Sequence, residues 1–378
     1  MMRVGLVCPY SLDVPGGVQN HVLGLAGYLA GHGHQPHVLA PGDWESPPGI
    51  STEAAAIRFT SAGTAVPVPY NGSIARVNFG PLSATRVSRW MRGGGFDLLH
   101  IHEPITPSVA LLALWAADCP VVATFHTATP RSRSMRLAGG ALRAAIEKID
   151  AGIAVSEAAR RVVVEHLGRD AVVVPNGFRF ADFARPSAPP RAAAYRGATV
   201  PRITFLGRVD EPRKGLGVLL AALPAVRSAL GPVDVVIAGQ GAAAVPAGCR
   251  MLGAVDDAEK ARLLASTDVF VAPHLARESF GIVLLEAMAA GAPVVASALP
   301  AFADLLRGPA GEPVGRLFPI GDSAALARAV VETVRDPAPE RTWAAVRHAR
   351  CFDWERVGAE ITAVYRAASA LAPTGTLP

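Results

Sequence analysis

Lysine is almost absent from this chain. Only three of its 36 basic residues, Lys148, Lys214 and Lys260, are lysine, and the rest are arginine. Cysteine is scarce too: Cys8, Cys119, Cys249 and Cys351 lie far apart, which excludes a disulfide scaffold and a closely spaced thiolate cluster. They read as buried free thiols, which fits a reducing compartment. Aromatic residues make up 6% of the chain. No basic stripe is interleaved with them, which argues against nucleic acid as a partner. The longest apolar run, residues 109–117, is about half of the ~20 residues a bilayer-spanning helix requires. The chain starts directly on a strand pattern, with no signal-peptide regions. The expected location is therefore the cytoplasm.

What is present is a globular composition. The 378 residues are 51% hydrophobic and 18% charged, enough for two α/β domains of ordinary size. The net charge of +5 suits anionic phosphates or an anionic membrane surface.

The chemistry concentrates in residues 269–291. Val269-Phe270-Val271-Ala272 is a buried parallel-strand pattern, and Ile282 opens an apolar, alanine-rich helical run that stops at Gly291. Glu278 falls in the loop and Glu286 in the helix. Free amides at the helix start, near Phe280 and Gly281, suit a phosphate. Carboxylates are poor phosphate ligands but accept hydrogen bonds well from sugar hydroxyls. Amides and carboxylates together suit a nucleotide-sugar. An upstream strand ends in Gly207-Arg208-Val209-Asp210-Glu211-Pro212-Arg213-Lys214-Gly215, just before a helix over residues 216–230. Three cations and free amides there can hold a pyrophosphate.

The N-terminal half repeats the strand–loop–helix theme. A strand over residues 4–8 and a loop with Gly16-Gly17 lead into a helix over residues 20–30. Paired glycines let the backbone approach a phosphate, but the three spaced glycines and acidic residue of a dinucleotide site are missing. His100 and His102 alternate onto one strand face before Glu103; no third ligand follows at metal spacing, so the segment is not read as a metal site. His126 ends a further strand, where ligands collect in open α/β sheets. On a helix over residues 83–92, Arg86, Arg89 and Arg92 share one face, with Val87, Trp90 and Met91 on the other. Such a helix, tryptophan included, can lie on an anionic bilayer, or it can simply cover the sheet. Arg131, Arg133 and Arg136 form a second basic stretch. Residues 184–201 carry four prolines and read as a linker.

The two-glutamate pattern resembles the retaining glycosyltransferases of family 4. The strings Cys8-Pro9-Tyr10-Ser11, Asp13-Val14-Pro15-Gly16-Gly17-Val18-Gln19 and Pro69-Tyr70-Asn71-Gly72-Ser73 resemble, nearly verbatim, the phosphatidylinositol α-mannosyltransferases of actinobacteria. The resemblance runs from Arg3 to about Ala370. It implies an α/β fold of the GT-B type, with two Rossmann-like domains facing a deep cleft. The expected domains are residues 1–185 for acceptor and membrane and 202–353 for nucleotide-sugar, joined by a linker at 186–201, with a last helix over 354–371 crossing back to the first. The implied reaction moves mannose from GDP-mannose to the inositol of phosphatidylinositol at the inner face of the cell membrane, keeping the α configuration.

The resemblance also implies residue roles. Glu278 would contact the donor sugar and Glu286 the ribose. Arg208, Arg213 and Lys214 would hold the diphosphate, with Gly17 and Ile282 lining the donor. The backbone near Val255, with Asp257 and Lys260, would hold guanine. His126 would support the reacting face. Tyr10, Gln19, Tyr70, Asn71 and Arg76 would face the inositol phosphate. Any Mg²⁺ would ride on the diphosphate rather than on a protein site. The chain departs from its relatives at Arg179, where they carry an aspartate, and at Thr85 and Ser88, where they are basic. A transferase with another donor or acceptor, and a catalytically silent membrane-surface protein of this fold, are the alternatives.

Overall fold

A computed structural model describes residues 1–14, 16–42, 57–70, 73–126, 139–184, 200–276 and 278–371. The chain divides into two compact units, residues 1–177 with 354–378, and residues 178–353.

The first unit is built on strands β1 (Arg3–Val7), β2 (Gln35–Ala40), β3 (Arg58–Ser61), β4 (Val66–Tyr70), β5 (Ser73–Val77), β6 (Leu98–His102), β7 (Val121–Phe125), β8 (Ala151–Ala154) and β9 (Val172–Val173). Its helices are α1 (Gly17–Gly31), α2 (Pro81–Gly94), α3 (Val109–Ala116), α4 (Gly139–Glu147) and α5 (Glu157–Leu167). Seven strands form one sheet in the order β3-β2-β1-β6-β7-β8-β9, and every pairing is parallel. Sheets of this kind are covered on both faces, which is why β6 and β7 are buried at every position. The stretch of residues 66–80, rich in turn residues, is no part of that sheet. Its described residues 66–70 and 73–77 form the antiparallel pair β4–β5, whose Pro67 and Pro69 an edge strand tolerates.

The second unit opens with α6 (Phe180–Phe183) and holds β10 (Arg202–Leu206), β11 (Asp234–Ala238), β12 (Cys249–Gly253), β13 (Val269–Ala272), β14 (Val294–Ser297) and β15 (Arg316–Phe318). Its further helices are α7 (Leu216–Leu230), α8 (Asp257–Ala265), α9 (Ile282–Ala289), α10 (Pro300–Leu305), α11 (Ser323–Arg335) and α12 (Pro339–Arg350). The strand order is β12-β11-β10-β13-β14-β15, again all parallel. In both sheets the order reverses beside the unit's first strand, between β1 and β6 and between β10 and β13. Ligands of open α/β sheets bind outside the carboxyl ends of the strands at such a switch point. The loops after β1, β6, β10 and β13 are therefore where function belongs.

The last helix, α13 (Trp354–Leu371), packs on α1 of the first unit. Gly24 makes this possible, since a Cβ there would stand 2.4 Å from the Trp354 indole nitrogen. Tyr365, with no exposed surface, reaches the sheet and meets His100 Nδ1 at 2.7 Å.

Two expectations need correction. Residues 178–184 do not belong to the first unit: Phe178, Phe180 and Phe183 bury in the core formed by Leu263, Leu284 and Phe302 of the second. Trp90 is not offered to a bilayer. It is 5% exposed, its ring lies 4.3 Å from that of Phe96, and α2 uses its apolar face to cover the sheet. The expected linker lies almost wholly outside the described residues, as do Arg131, Arg133 and Arg136.

Candidate functional site

In the second unit, the loops after β10 and β13 lock together through backbone. Gly215 has φ +71°, and a Cβ there would stand 1.8 Å from the Pro273 carbonyl oxygen. The Leu275 N–H donates to the Arg213 carbonyl at 2.7 Å. Only glycine permits this approach, and it sets Arg213 and Lys214 over Glu278. Lys214 Nζ and His274 Nδ1 each lie 2.8 Å from Glu278 Oε2, and an Arg213 guanidinium nitrogen lies 3.8 Å from the same oxygen. Arg213 also pairs with Glu211 at 2.7 Å, and Arg208 Nε approaches Glu211 at 3.3 Å. Burial pushes the Glu278 carboxyl up, but Lys214 and His274 outweigh it and hold the group well below the usual carboxylate range. Glu278 is thus an anion poised to accept hydrogen bonds.

Next to it, Gly281 caps α9 with φ +108°, and a Cβ would run into Phe302 at 2.7 Å. Among the described residues no side chain caps this helix end, so the first amides of α9, beginning at Ile282, are left for a ligand. Glu286 lies one turn further and is 6% exposed. Lys260 bridges it at 2.7 Å and Asp257 at 3.0 Å. Burial raises the Glu286 pKa against the pull of Lys260. Lys260 stays protonated: burial opposes its charge, and the Glu286 and Asp257 carboxylates overcome that. The N-terminus of α8 is fixed by a capping box between Asp256 and Glu259, which places Val255 and Asp257 at its mouth.

The structure therefore gathers the sequence-marked donor residues of this unit into two adjoining groups. One is Arg208, Arg213, Lys214 and Glu278, and the other is Asp257, Lys260 and Glu286. The sequence reading missed His274 and Glu211, which orient the first group. The four-residue spacing of His274 and Glu278 was the available signal.

In the first unit, Tyr10, Gln19 and Arg76, three of the residues expected on the acceptor side, gather around the loop after β1. Tyr10 bridges Val77, and the Ser11 N–H donates to the Arg76 carbonyl at 2.8 Å, which ties the β4–β5 hairpin to this loop. Arg76 is exposed. The Gln19 amide donates to the carbonyls of Ser11 and Val14 at 3.2 and 3.3 Å, so one side of it braces the loop. Gly17 is the first residue of α1, which begins three residues earlier than expected. Tyr70 ends β4, and Asn71 lies outside the described residues. His126 sits at the end of β7, 5% exposed, with burial lowering its pKa to about 3, so it is neutral. Its ring nitrogen Nε2 lies 2.9 Å from His102 Nδ1, and its backbone N–H donates to Glu103 at 2.8 Å.

Comparison with known proteins decides the family. Residues 15–181 match the family model of Glycosyltransferase Family 4, and residues 200–336 that of Glycosyl transferases group 1. The chain is 47% identical over 367 residues to a phosphatidyl-myo-inositol mannosyltransferase of Propionibacterium freudenreichii, covering 97% of this chain and 95% of that one. It is 49% identical over 376 residues to the Mycobacterium leprae protein of the same name, covering 96% of each. The chain belongs to the phosphatidyl-myo-inositol mannosyltransferase family. Among solved structures, sucrose-phosphate synthase from Thermosynechococcus elongatus matches with a TM-score of 0.72 at 20% identity, over 98% of this chain and 99% of that one. That likeness establishes the GT-B fold of this mannosyltransferase family member.

The Glu278 arrangement has a pH signature. A carboxylate whose folded pKa is depressed adds stability above its ordinary value of 4.5 and loses it as pH falls below. Glu278→Gln removes that dependence. Melting temperatures taken between about pH 5 and about pH 3 should therefore fall more steeply for the parent than for Glu278→Gln. Parallel curves would contradict the assigned charge state.

Proposed function

We propose that the chain transfers mannose from GDP-mannose to the inositol ring of phosphatidylinositol with retention of the α configuration. The observation that carries this reading is the ionised Glu278, held by Lys214 and His274 beside the uncapped start of α9. An anionic acceptor next to free amides and three cations matches a sugar hydroxyl joined to a diphosphate. Arg208, Arg213 and Lys214 stabilise the charge that develops on the leaving diphosphate. Glu278 orients the sugar, and Glu286 with Lys260 takes the ribose and base side. Oε2 of Glu278 is engaged by two donors, which makes it a poor nucleophile. Retention then follows from attack on the same face the diphosphate leaves. The C1–O bond to diphosphate breaks, the C1–O bond to inositol forms, and the hydroxyl proton passes to a diphosphate oxygen. Neutral His126 supports the reacting face.

Glu211 and Glu278 do not suit a protein-held Mg²⁺. Glu211 and Glu278 are occupied by cations, and Mg²⁺ prefers free carboxylate and water oxygens. Any Mg²⁺ travels with the donor diphosphate.

GDP should raise the melting temperature. A ligand at a hundred times its dissociation constant adds about 2.7 kcal/mol. Glu278→Ala should abolish transfer while GDP still protects. A shift with UDP but none with GDP contradicts the guanine assignment, and full activity of Glu278→Ala contradicts the sugar contact.

The acceptor lipid resists leaving its bilayer, at about 0.8 kcal/mol per buried CH₂. No described helix is long and apolar enough to cross a membrane, and we infer a peripheral attachment on the cytoplasmic surface. With Trp90 in the core, the support comes from other side chains. Val66, Val68, Ile74, Phe79, Leu82 and Trp115 are all exposed, Leu82 at 78%, and the Phe79 and Trp115 rings lie 6.2 Å apart. Exposed Arg89 and Arg92 lie on α2, whose first turn carries Leu82, and each arginine at an anionic surface is worth about 1 kcal/mol. Arg86 contributes less, because it donates to the Ala62 carbonyl at 3.2 Å. The double variant Leu82→Ser with Trp115→Ser should sediment less with phosphatidylinositol vesicles at low salt, while GDP protection is kept. Unchanged sedimentation places the contact elsewhere.

A further inference from the structure

Three histidines of the first unit come together although sequence spacing does not link them. His102 and His126 end the neighbouring strands β6 and β7, and His21 arrives from α1. Each offers a ring nitrogen, and the three nitrogens lie within 4.8 Å of one another. The rings are 3%, 0% and 5% exposed for His21, His102 and His126. Neither nitrogen of His21 has a hydrogen-bond partner among the described residues. Buried polar nitrogens left unmatched are uncommon and ask for a missing partner. His21 presses on both other rings, with centroids 5.4 Å from His102 and 5.0 Å from His126.

We propose that His21, His102 and His126 form a three-imidazole site for a divalent transition-metal ion of the zinc type. Imidazole suits zinc, cobalt, nickel and copper, whereas Mg²⁺ prefers oxygen ligands. Burial keeps all three rings neutral, which is the metal-binding form. A tetrahedral ion bonded at about 2.0–2.1 Å holds two nitrogens about 3.3 Å apart. The 2.9 Å separation of His102 Nδ1 and His126 Nε2 need open only slightly to reach that spacing. His102 ends a packed strand, His126 directly follows another and His21 stands on a packed helix, which favours a fixed geometry. Glu103 adds a buried carboxylate beside the cluster, bound to the His126 backbone N–H, and holds φ +49°, which a non-glycine residue rarely adopts. Three protein ligands leave a fourth position open. On the reading of His126 given above, an ion here withdraws that ring from the transfer reaction, so zinc acts as an inhibitor.

Cobalt(II) reads the site optically, independently of transferase activity. The full chain, stripped with a chelator, is titrated with Co²⁺ and then with Zn²⁺. The expected result is one Co²⁺ per chain, with visible d–d bands of a four- or five-coordinate nitrogen site that zinc abolishes. Fluorescence of Trp354, whose ring lies 5.1 Å from His21, should be quenched in step. His21→Gln and His102→Gln should each weaken cobalt binding at least tenfold while circular dichroism of the metal-free chain is unchanged. No visible bands at low-millimolar cobalt would overturn the proposal, as would intense near-ultraviolet thiolate charge transfer or parental affinity in both variants. If the variants fail to fold, the parental spectrum and its zinc displacement decide alone.

Discussion

A buried carboxylate remains an anion only where cations and donors meet it, and Glu278 is held that way by Lys214 and His274 through a single oxygen. This contact requires two loops, from the ends of β10 and β13, to touch through their backbones. The touch in turn requires a residue without a side chain at Gly215, because the Pro273 carbonyl occupies the space a Cβ would need. The strand order makes the meeting possible, since β10 and β13 are neighbours at the reversal point of the sheet. From sheet topology to one glycine to one ion pair, each level sets the next.

Two glutamates eight residues apart are driven in opposite directions by their surroundings. Cations pull Glu278 down against its burial, whereas burial pushes Glu286 up against Lys260. Divergent pKa values in one site usually mark divergent roles. Here the anion faces the uncapped start of α9, and its counterpart lies inside the helix against a lysine. That separation fits a sugar on one side and a ribose on the other.

The repeated strand–loop–helix units, the parallel sheets and the last helix were legible because parallel strands read as continuous apolar runs and helices carry their own stops. Glu278, Glu286, Lys214 and Lys260 were legible because charge is rare in such segments. His274 and Glu211 were not, since their roles appear only when two loops close on each other. Trp90 was left open between bilayer and sheet for a related reason: periodicity separates the arginine face of α2 from its apolar face but does not say which the sheet covers. His21 lies 81 residues before His102 in the chain, and no local spacing could join them. Phe178, Phe180 and Phe183 shifted the unit boundary because an aromatic cluster follows the core it fills, not the proline-rich stretch after it.

The account stands or falls on the fate of the anomeric carbon. The direct measurement supplies phosphatidylinositol vesicles with GDP-mannose and, separately, other nucleotide-sugars, and determines the anomeric configuration of the lipid product by NMR. An α-linked mannosyl product formed from GDP-mannose is the predicted result. A β-linked product, or transfer from other donors while GDP-mannose goes unused, would contradict it.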